Sequence, residues 1–424
     1  MKSLLDKLFF RSNNLNNISD KIKELSKKTP ASQIFEAINS YSDTSEIRYV
    51  GGCIRKIINN EKVDDIDLAT NLEPKDVCEA LKNKNINYFE TGIEHGTITA
   101  LIDDFKFEIT SLREDISTDG RHAQVKFSKD WKKDASRRDF TINAIYSDLE
   151  GNLFDPFNGK EDLEKGEINF IGIPEKRIQE DYLRILRYLR FFLNYSKQKH
   201  KPKVIRNLKM NLDGISKISR ERLLDELKKI LKPKSLKILS NNKQCLELIE
   251  FIFPQLKNFN IFKKLNSYSM NILEQDDFIF LISLLIIDRT DNAEYFLYKF
   301  NISKKNQQRI KSIDKFYREK ITSKTFTKDN LNKIFYYSGK ETLMDILNFK
   351  IFKSKKIDDQ IIKLVNFYKD KTKPTMPIKA DVIMSKYNIS EGKLLGNKLK
   401  IIENEWVKNN FQITDKEIEN IVNN

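Results

Sequence analysis

Val50-Gly-Gly-Cys-Ile-Arg55, followed shortly by Asp64-Asp-Ile-Asp-Leu-Ala-Thr70, is the stretch on which the fold turns. Ile47–Val50 reads as a short apolar strand entering the glycine pair, and Ile54–Ile58 as a helix leaving it. Ile66–Ala69 reads as the strand that carries the aspartates. Side chains alternate along a strand with period two, so Asp65 and Asp67 point to one face. Two carboxylates on one face are a donor set for two Mg²⁺ ions, which clamp an in-line attack on a nucleotide α-phosphate. Gly51-Gly52 provides a tight strand-to-helix turn, where backbone N–H groups meet a triphosphate. Alone, an Asp-x-Asp pair is equally well explained as a strand end with two solvated carboxylates. Three further motifs in chain order decide against that.

Residues 137–144 read Arg-Arg-Asp-Phe-Thr-Ile-Asn-Ala. Two arginines beside an aspartate can hold a phosphate and a ribose hydroxyl together. The plain alternative is a helix N-terminus with Asp139 near its cap and Phe140, Ile142, Ala144 and Ile145 as core. Residues 154–159, Phe-Asp-Pro-Phe-Asn-Gly, carry two turn dipeptides and read as a loop, a hinge between an α/β head and a helical neck. Residues 180–191 read Glu-Asp-Tyr-Leu-Arg-Ile-Leu-Arg-Tyr-Leu-Arg-Phe, inside a helix expected over 177–195. On that helix Asp181 and Arg184 lie one turn apart with their heads side by side. Glu180, four residues before Arg184, orients its guanidinium. An ordinary salt-bridged helix face is the structural alternative. The functional reading rests on base chemistry. Cytosine and adenine each offer an amino donor beside a ring-nitrogen acceptor, which a carboxylate plus a guanidinium complements. Guanine and uracil present the reverse order and are rejected.

Around these motifs the expected elements are helices at 32–42 and from Pro74 to about Lys84, then strands at 87–90, 97–102 and 105–110. In Phe105-Lys-Phe-Glu-Ile-Thr110 the alternation places Glu108 on one face with Lys106 and Thr110, making it a candidate third carboxylate. Beyond the strand region the pattern is helical, with Ser219 as an N-cap and Lys371–Pro377 as a linker. The 424 residues allow roughly two to four domains. A net charge of +15 fits a polyanionic partner such as nucleic acid, and equally a Lys-rich composition. Three scattered cysteines make neither a disulfide framework nor a zinc pattern, which fits a reducing cytosol, and three scattered histidines exclude a Ser-His-Asp triad. No segment approaches a membrane span.

Together and in this order, these residues resemble the class II tRNA nucleotidyltransferase and bacterial poly(A) polymerase family. Gly51-Gly52 with Asp65 and Asp67 resembles motif A, Arg137-Arg138-Asp139 motif B, Asp155–Gly159 motif C and Glu180-Asp181-x-x-Arg184 motif D. Glu221-Arg222 with Glu226 stands where a fifth motif is expected. The resemblance implies an α+β fold: a polymerase-β-like nucleotidyltransferase head, a small mixed sheet with helices, followed by all-helical neck, body and tail. The expected boundaries are an N-terminal helical extension at 1–30, the head at 31–158 and a neck with the nucleotide-selecting helix at 159–231. A tRNA-binding body at 232–370 and a tRNA-binding tail at 371–424 complete them. The implied activity is template-free addition of C, C and A to tRNA 3′ ends from CTP and ATP, by two-metal transfer that releases pyrophosphate.

In that reading Asp65 and Asp67 hold two Mg²⁺ and Glu108 joins them in catalysis. Gly51, Gly52, Arg55, Arg138, Asp139, Glu180, Asp181, Arg184 and Arg187 bind the nucleotide. Arg113 to Val125, with Asp115, Asp119 and Arg121, resembles the flexible loop needed to switch from CTP to ATP. The partners are nucleoside triphosphates and the tRNA acceptor arm, with no membrane and no obligate protein partner, and the compartment is cytoplasmic. The chain departs from the family pattern at Ile54-Arg55-Lys56, where Lys56 replaces an acid, and at Tyr182, where proline is common. A poly(A) polymerase, the A-adding half of a split CCA system, and an RNA-binding module with a dead head are the competing readings.

Overall fold

The computed structural model describes residues 17–118, 123–319, 325–354 and 358–423. The first 16 residues of the expected N-terminal extension, and Asp119 and Arg121 of the expected loop, lie outside them. The chain divides into two compact units, one ending at Ile230 and one beginning at Leu231.

The first unit is built on a seven-stranded mixed sheet. Its strands are β1 (Ile47–Val50), β2 (Ile66–Thr70), β3 (Asn87–Gly92), β4 (Thr97–Ile102), β5 (Phe105–Ser111), β8 (Tyr146–Ser147) and β9 (Leu153–Phe154), in the order β3-β4-β5-β2-β1-β8-β9. β2 and β5 run parallel and pair Asp67 with Glu108. Neighbours across a sheet share a face, so the two carboxylates stand side by side. On β5 the alternation buries Phe105, Phe107 and Ile109 and leaves Lys106 and Glu108 exposed, as expected from the sequence. Asp65 lies one residue ahead of β2, so only Asp67 is within the ladder.

Helices α1 (Ile18–Lys28), α2 (Ala31–Asn39), α3 (Gly52–Ile58) and α4 (Pro74–Asn83) supply apolar residues to the sheet's core. Phe35 and Tyr49 meet there with ring centroids 4.9 Å apart. Pro74 occupies the first turn of α4, where its missing N–H costs no bond. The segment expected as a flexible loop forms the arms of a separate antiparallel hairpin, β6 (Arg113–Thr118) and β7 (Ala123–Phe127).

Arg137-Arg138-Asp139 ends a helix, α5 (Trp131–Arg137), rather than opening one. Phe140, Ile142, Ala144 and Ile145 behind it are fully buried. The 154–159 turn is tightly bonded. Asp155 accepts from the backbone N–H of Gly159 and Lys160, each at 2.8 Å, and so caps α6 (Gly159–Lys165).

The helix expected over 177–195 is broken. α7 (Pro174–Glu180) stops at Asp181, whose backbone is extended at φ −152° and ψ 105°, and α8 (Arg184–Tyr195) starts afresh. Asp181 and Arg184 are therefore not one turn apart on a continuous helix. Next come α9 (Pro202–Met210), a 3-10 turn at Leu212–Lys217, and α10 (Arg220–Ile230), with Ser219 Oγ accepting from Arg222 N at 3.4 Å.

Among its described residues the second unit holds helices and turns and no strand. One apolar cluster gathers Leu331, Phe335, Leu347 and Tyr368, and another Ile383, Leu395, Ile402 and Ile418. The helix Lys328–Lys353 breaks at Gly339, where φ is +86°. Residues 371–377 carry neither helix nor strand. Among the described residues no helix is long and apolar enough to cross a membrane.

Gly159 faces the backbone around Thr141: a Cβ there would lie 2.1 Å from Thr141 O and 2.6 Å from its carbonyl carbon. Backbone cannot swing aside as a side chain can. Gly159→Ala is expected to destabilise the first unit by about 1–3 kcal/mol. Urea unfolding checks this, and an unchanged midpoint would mean that the capped turn yields.

Candidate active site

Residues from several separate parts of the first unit, Arg113 of β6 among them, line one cleft of about 520 Å³. The glycine turn contributes Gly51, Gly52 and Arg55, and β2 contributes Asp67. The α5 end contributes Arg137, Arg138 and Asp139, with Asn143 just beyond it. The kinked segment and α10 contribute Asp181, Arg184, Arg187, Arg190 and Arg222. Among the described lining residues eight are arginine and three are aspartate. Such a surplus of fixed positive charge in a concave site attracts a polyphosphate.

At the glycine turn Gly51 has φ +67°, a conformation that disfavours other residues. A Cβ on Gly52 would stand 3.4 Å from Asp67 Oδ2, so the turn passes close to the carboxylate. Burial raises the Asp67 carboxyl pKa; the neighbouring Glu108 and Asp65 raise it further, against Arg138 and Arg55. Asp65 and Glu108 thus sit within electrostatic reach of Asp67 but do not line the cleft itself. Lys56, which stands in place of an acid, pairs with Asp64.

Arg138 is held on several sides. Its Nε donates to Tyr146 Oη at 2.9 Å, its Nη2 to Asp134 Oδ2 at 3.1 Å and its Nη1 to the Asn143 carbonyl at 3.3 Å. Asp134 is buried and also accepts from Arg137 Nε at 2.8 Å and from Tyr146 Oη at 2.7 Å. Burial alone would raise its pKa, but Arg138, Arg137 and Tyr146 together lower it to about 2.

Asp139 is likewise buried. Its Oδ1 accepts from Phe140 N at 2.9 Å and Asn143 Nδ2 at 2.8 Å, and its Oδ2 from Arg187 Nε at 2.6 Å. Burial opposes its charge, but Arg187 and Asn143 outweigh it and hold the carboxyl well below the usual carboxylate range. Arg55 donates to the other end of Asn143 and lies over the ring of Phe191, 4.8 Å from its centroid.

At the kink Glu180 does orient Arg184, through a 2.6 Å bond to Nη1. Asp181 has different partners from those expected. Its Oδ1 caps its own turn by accepting from Leu183 N at 3.1 Å, and its Oδ2 accepts from Arg222 Nη2 at 2.7 Å. Arg177 donates from Nη1 to Glu180 at 2.5 Å and from Nη2 to the carbonyls of Arg137 and Arg138. Arg190 pairs with the buried Glu226.

Of the residues singled out from sequence, Gly51, Gly52, Arg55, Asp67, Arg113, Arg138, Asp139, Asp181, Arg184 and Arg187 line the cleft. Arg113 donates to the His95 carbonyl. Asp115 lies in β6. Glu180 stands behind Arg184. Asp134, Asn143, Arg177 and Arg190 were not anticipated. Asp134 left a signal, being four residues before Arg138 on a helix. Arg177 left another, three before Glu180.

Folding depresses the Asp134 pKa, so its charge adds stability above the unfolded value and loses it as pH falls through the folded one. The shift corresponds to about 2 kcal/mol. Asp134→Asn is expected to be less stable than wild type at neutral pH, with the difference closing between about pH 4 and pH 2. Denaturation across that range checks it; a difference constant with pH would assign the effect to packing.

Residues 47–169 match the family described as the poly A polymerase head domain. The chain is 46% identical over 192 residues to the mitochondrial CCA tRNA nucleotidyltransferase 1 of Homo sapiens, a match covering 45% of this chain and 44% of that protein. The chain thus matches less than half the length of that relative. It is 30% identical over 377 residues to the CCA-adding enzyme of Streptococcus uberis, covering 86% of this chain and 89% of that one. In fold it is similar to the Bacillus stearothermophilus CCA-adding enzyme in complex with CTP. That likeness has a TM-score of 0.69 at 20% identity and covers 93% of this chain and 96% of the other. The Thermotoga maritima CCA-adding enzyme complexed with tRNA has a TM-score of 0.62 at 19% identity, covering 96% and 98%. With the streptococcal protein matched over nearly its whole length, the chain belongs to the CCA-adding enzyme family.

Proposed function

We propose that the chain adds C, C and A to tRNA 3′ ends from CTP and ATP without a nucleic-acid template, releasing pyrophosphate. One observation carries this reading: the β2 aspartate edge, the Arg138–Asp139 corner and the Asp181–Arg184 kink all open onto one cleft of nucleotide size. Family membership supports the same activity.

The carboxylate edge fits Mg²⁺. Asp67 and Glu108 are paired across β2 and β5, Asp65 adjoins them, and burial first, then the repulsion of Glu108 and Asp65, raises the Asp67 pKa. Among the described residues no group of three or more ligating side chains is closed around one point. Mg²⁺ is usually held by one or two carboxylates and completed by water and substrate phosphates. Asp65 and Asp67, with Glu108 beside them, would hold two such ions, which when bound supply Lewis acidity toward the 3′-hydroxyl and the triphosphate.

The remaining work belongs to fixed side chains. Arg138 uses some of its five N–H donors on Asp134, Tyr146 and the Asn143 carbonyl and keeps others for a phosphate. Asp139 keeps a lone pair on Oδ2 beside Arg187, available to a ribose hydroxyl. Arg184 makes its bonds to Glu180 and the Arg177 carbonyl through Nη1, leaving its other donors for a base nitrogen. Asp181, held by Arg222, accepts from the base amino group. Cytosine and adenine satisfy both, and uracil and guanine set like groups against like. The helical body and tail hold the tRNA acceptor arm through phosphate contacts, and binding weakens as salt rises. The hairpin bearing Arg113 and Asp115 serves the switch from CTP to ATP.

The test is addition to tRNA ending before CCA, with Mg²⁺ and CTP, ATP or both, read on a sequencing gel. Two C's and one A followed by a stop is the expected product. A long A ladder on generic RNA would make the chain a poly(A) polymerase, and A added only after an existing CC would make it half of a split system. Asp65→Ala and Asp67→Ala should each lower addition of both nucleotides by more than the roughly 10–100-fold that loss of an outer partner causes. Arg184→Ala should lower discrimination against U and G by about 10–100-fold. Unchanged rejection would remove the base-reading role.

A further inference from the structure

The kink that presents Asp181 is held locally by two short bonds: Leu183 N donates to Asp181 Oδ1 at 3.1 Å, and Arg184 N donates to the Asp181 carbonyl at 3.0 Å. These close the turn without aiming it. Its aim comes from elsewhere in the first unit. The apex residue, Tyr182, rests its ring on Gly214 in the Leu212–Lys217 turn. A Cβ on Gly214 would lie 2.0, 2.1 and 2.4 Å from the Cε1, Cδ1 and Cζ atoms of that ring. Only glycine admits the ring there. Lys217 Nζ lies 5.4 Å from the ring centroid, and Gln179 Nε2 donates to Asn211 Oδ1 at 3.4 Å on the other side of the kink. The 211–217 turn is thus docked on the apex of the kink and on the arm that precedes it. It leads directly into α10, which delivers Arg222 to Asp181 Oδ2 at 2.7 Å.

We propose that Tyr182 is a positioning residue for nucleotide selection, its ring seated in the Gly214 notch to hold Asp181 and Arg222 in register toward the base. The inference rests on the base-reading role of Asp181 and Arg184 proposed above. A rigid aromatic at the apex restrains the turn from outside the cleft, so nucleotide and ring never touch. Loss of the ring, or a methyl group in its seat, lets the Asp181 carboxylate drift. Discrimination by hydrogen-bond pattern is sensitive to such drift, whereas triphosphate binding at Arg138 is not.

The experiment measures kcat/KM for CTP and UTP on tRNA ending before CCA, with inhibition by inorganic tripolyphosphate in parallel. Gly214→Ala and Tyr182→Ala are expected to lower the CTP-over-UTP ratio by about tenfold or more and to raise KM for CTP. Inhibition by tripolyphosphate stays unchanged. Tyr182→Phe keeps the ring and should stay within about twofold of wild type. The double variant Gly214→Ala/Tyr182→Ala should be no worse than Tyr182→Ala, because the added methyl then has nothing to displace. Thermal melting establishes that each variant is folded. Tyr182→Ala makes room rather than filling it, and carries the test if Gly214→Ala fails to fold. Arg184→Ala separates the two levels. If it loses selectivity while folded Tyr182→Ala and Gly214→Ala keep theirs, the positioning role is overturned and base reading stands. If Arg184→Ala keeps selectivity too, base reading falls and the inference falls with it. Additive losses in the double variant would also overturn it.

Discussion

The buried carboxylate of Asp139 is the constraint on which the arrangement of the first unit depends. Removing an ion from water costs several kcal/mol, and the cost is recovered only where good charged and hydrogen-bonding partners surround it. Asp139 finds the backbone N–H of Phe140, the amide of Asn143 and the guanidinium of Arg187. Asn143 in turn holds Arg55 on α3, and Arg187 belongs to α8. One carboxylate therefore ties the glycine-turn helix, the α5 end and the following helix into a single network. Arg177 adds a second tie by bonding both the carbonyls of Arg137 and Arg138 and the carboxylate that holds Arg184. Each member of such a network is placed by the others, and loss of one leaves a buried charge exposed to no partner.

Much of this was legible in the sequence, for physical reasons. The strands were legible because burial on one face imposes a period of two, as Phe105, Phe107 and Ile109 do against Lys106 and Glu108. That same alternation put Glu108 on the right face, and pairing with Asp67 then followed from parallel register. The contact of Glu180 with Arg184 was expected from helical i,i+4 spacing and is made, although the helix breaks between the two residues at Asp181. The turn at 154–159 was visible in its Asp-Pro and Asn-Gly dipeptides, but not the bonds from Gly159 and Lys160 N–H to Asp155.

The break at Asp181 was not legible. Apolar residues at Ile178, Ile185, Leu186 and Leu189 keep a helical spacing across it, and neither tyrosine nor leucine is a helix breaker. The extended backbone is imposed by partners far along the chain, Arg222 at Asp181 and Gly214 beneath Tyr182. Tertiary contacts here override local propensity. Arg190 with Glu226 was hidden for the same reason: spacing between distant segments carries no period. Asp65 falling just short of the ladder reflects the limit of reading element ends from pattern.

The chain is rich in lysine and carries a net charge of +15, yet among the described residues that line the cleft every cation is arginine. A lysine ammonium is a compact point charge on a flexible stem, and its donors rotate rather than face fixed directions. A guanidinium is a planar fork whose donors face different ways. Arg138 spends donors on Asp134 and Tyr146, Arg184 on Glu180, Arg187 on Asp139, and each retains others that point along fixed lines. The template-free base selection proposed above requires such pre-aimed donors, because no second base is present to supply the pattern. Lysine suits the distributed attraction of a polyanion, which needs charge and not direction. The cleft of this chain follows that difference: its cations are the ones whose hydrogen bonds can be aimed.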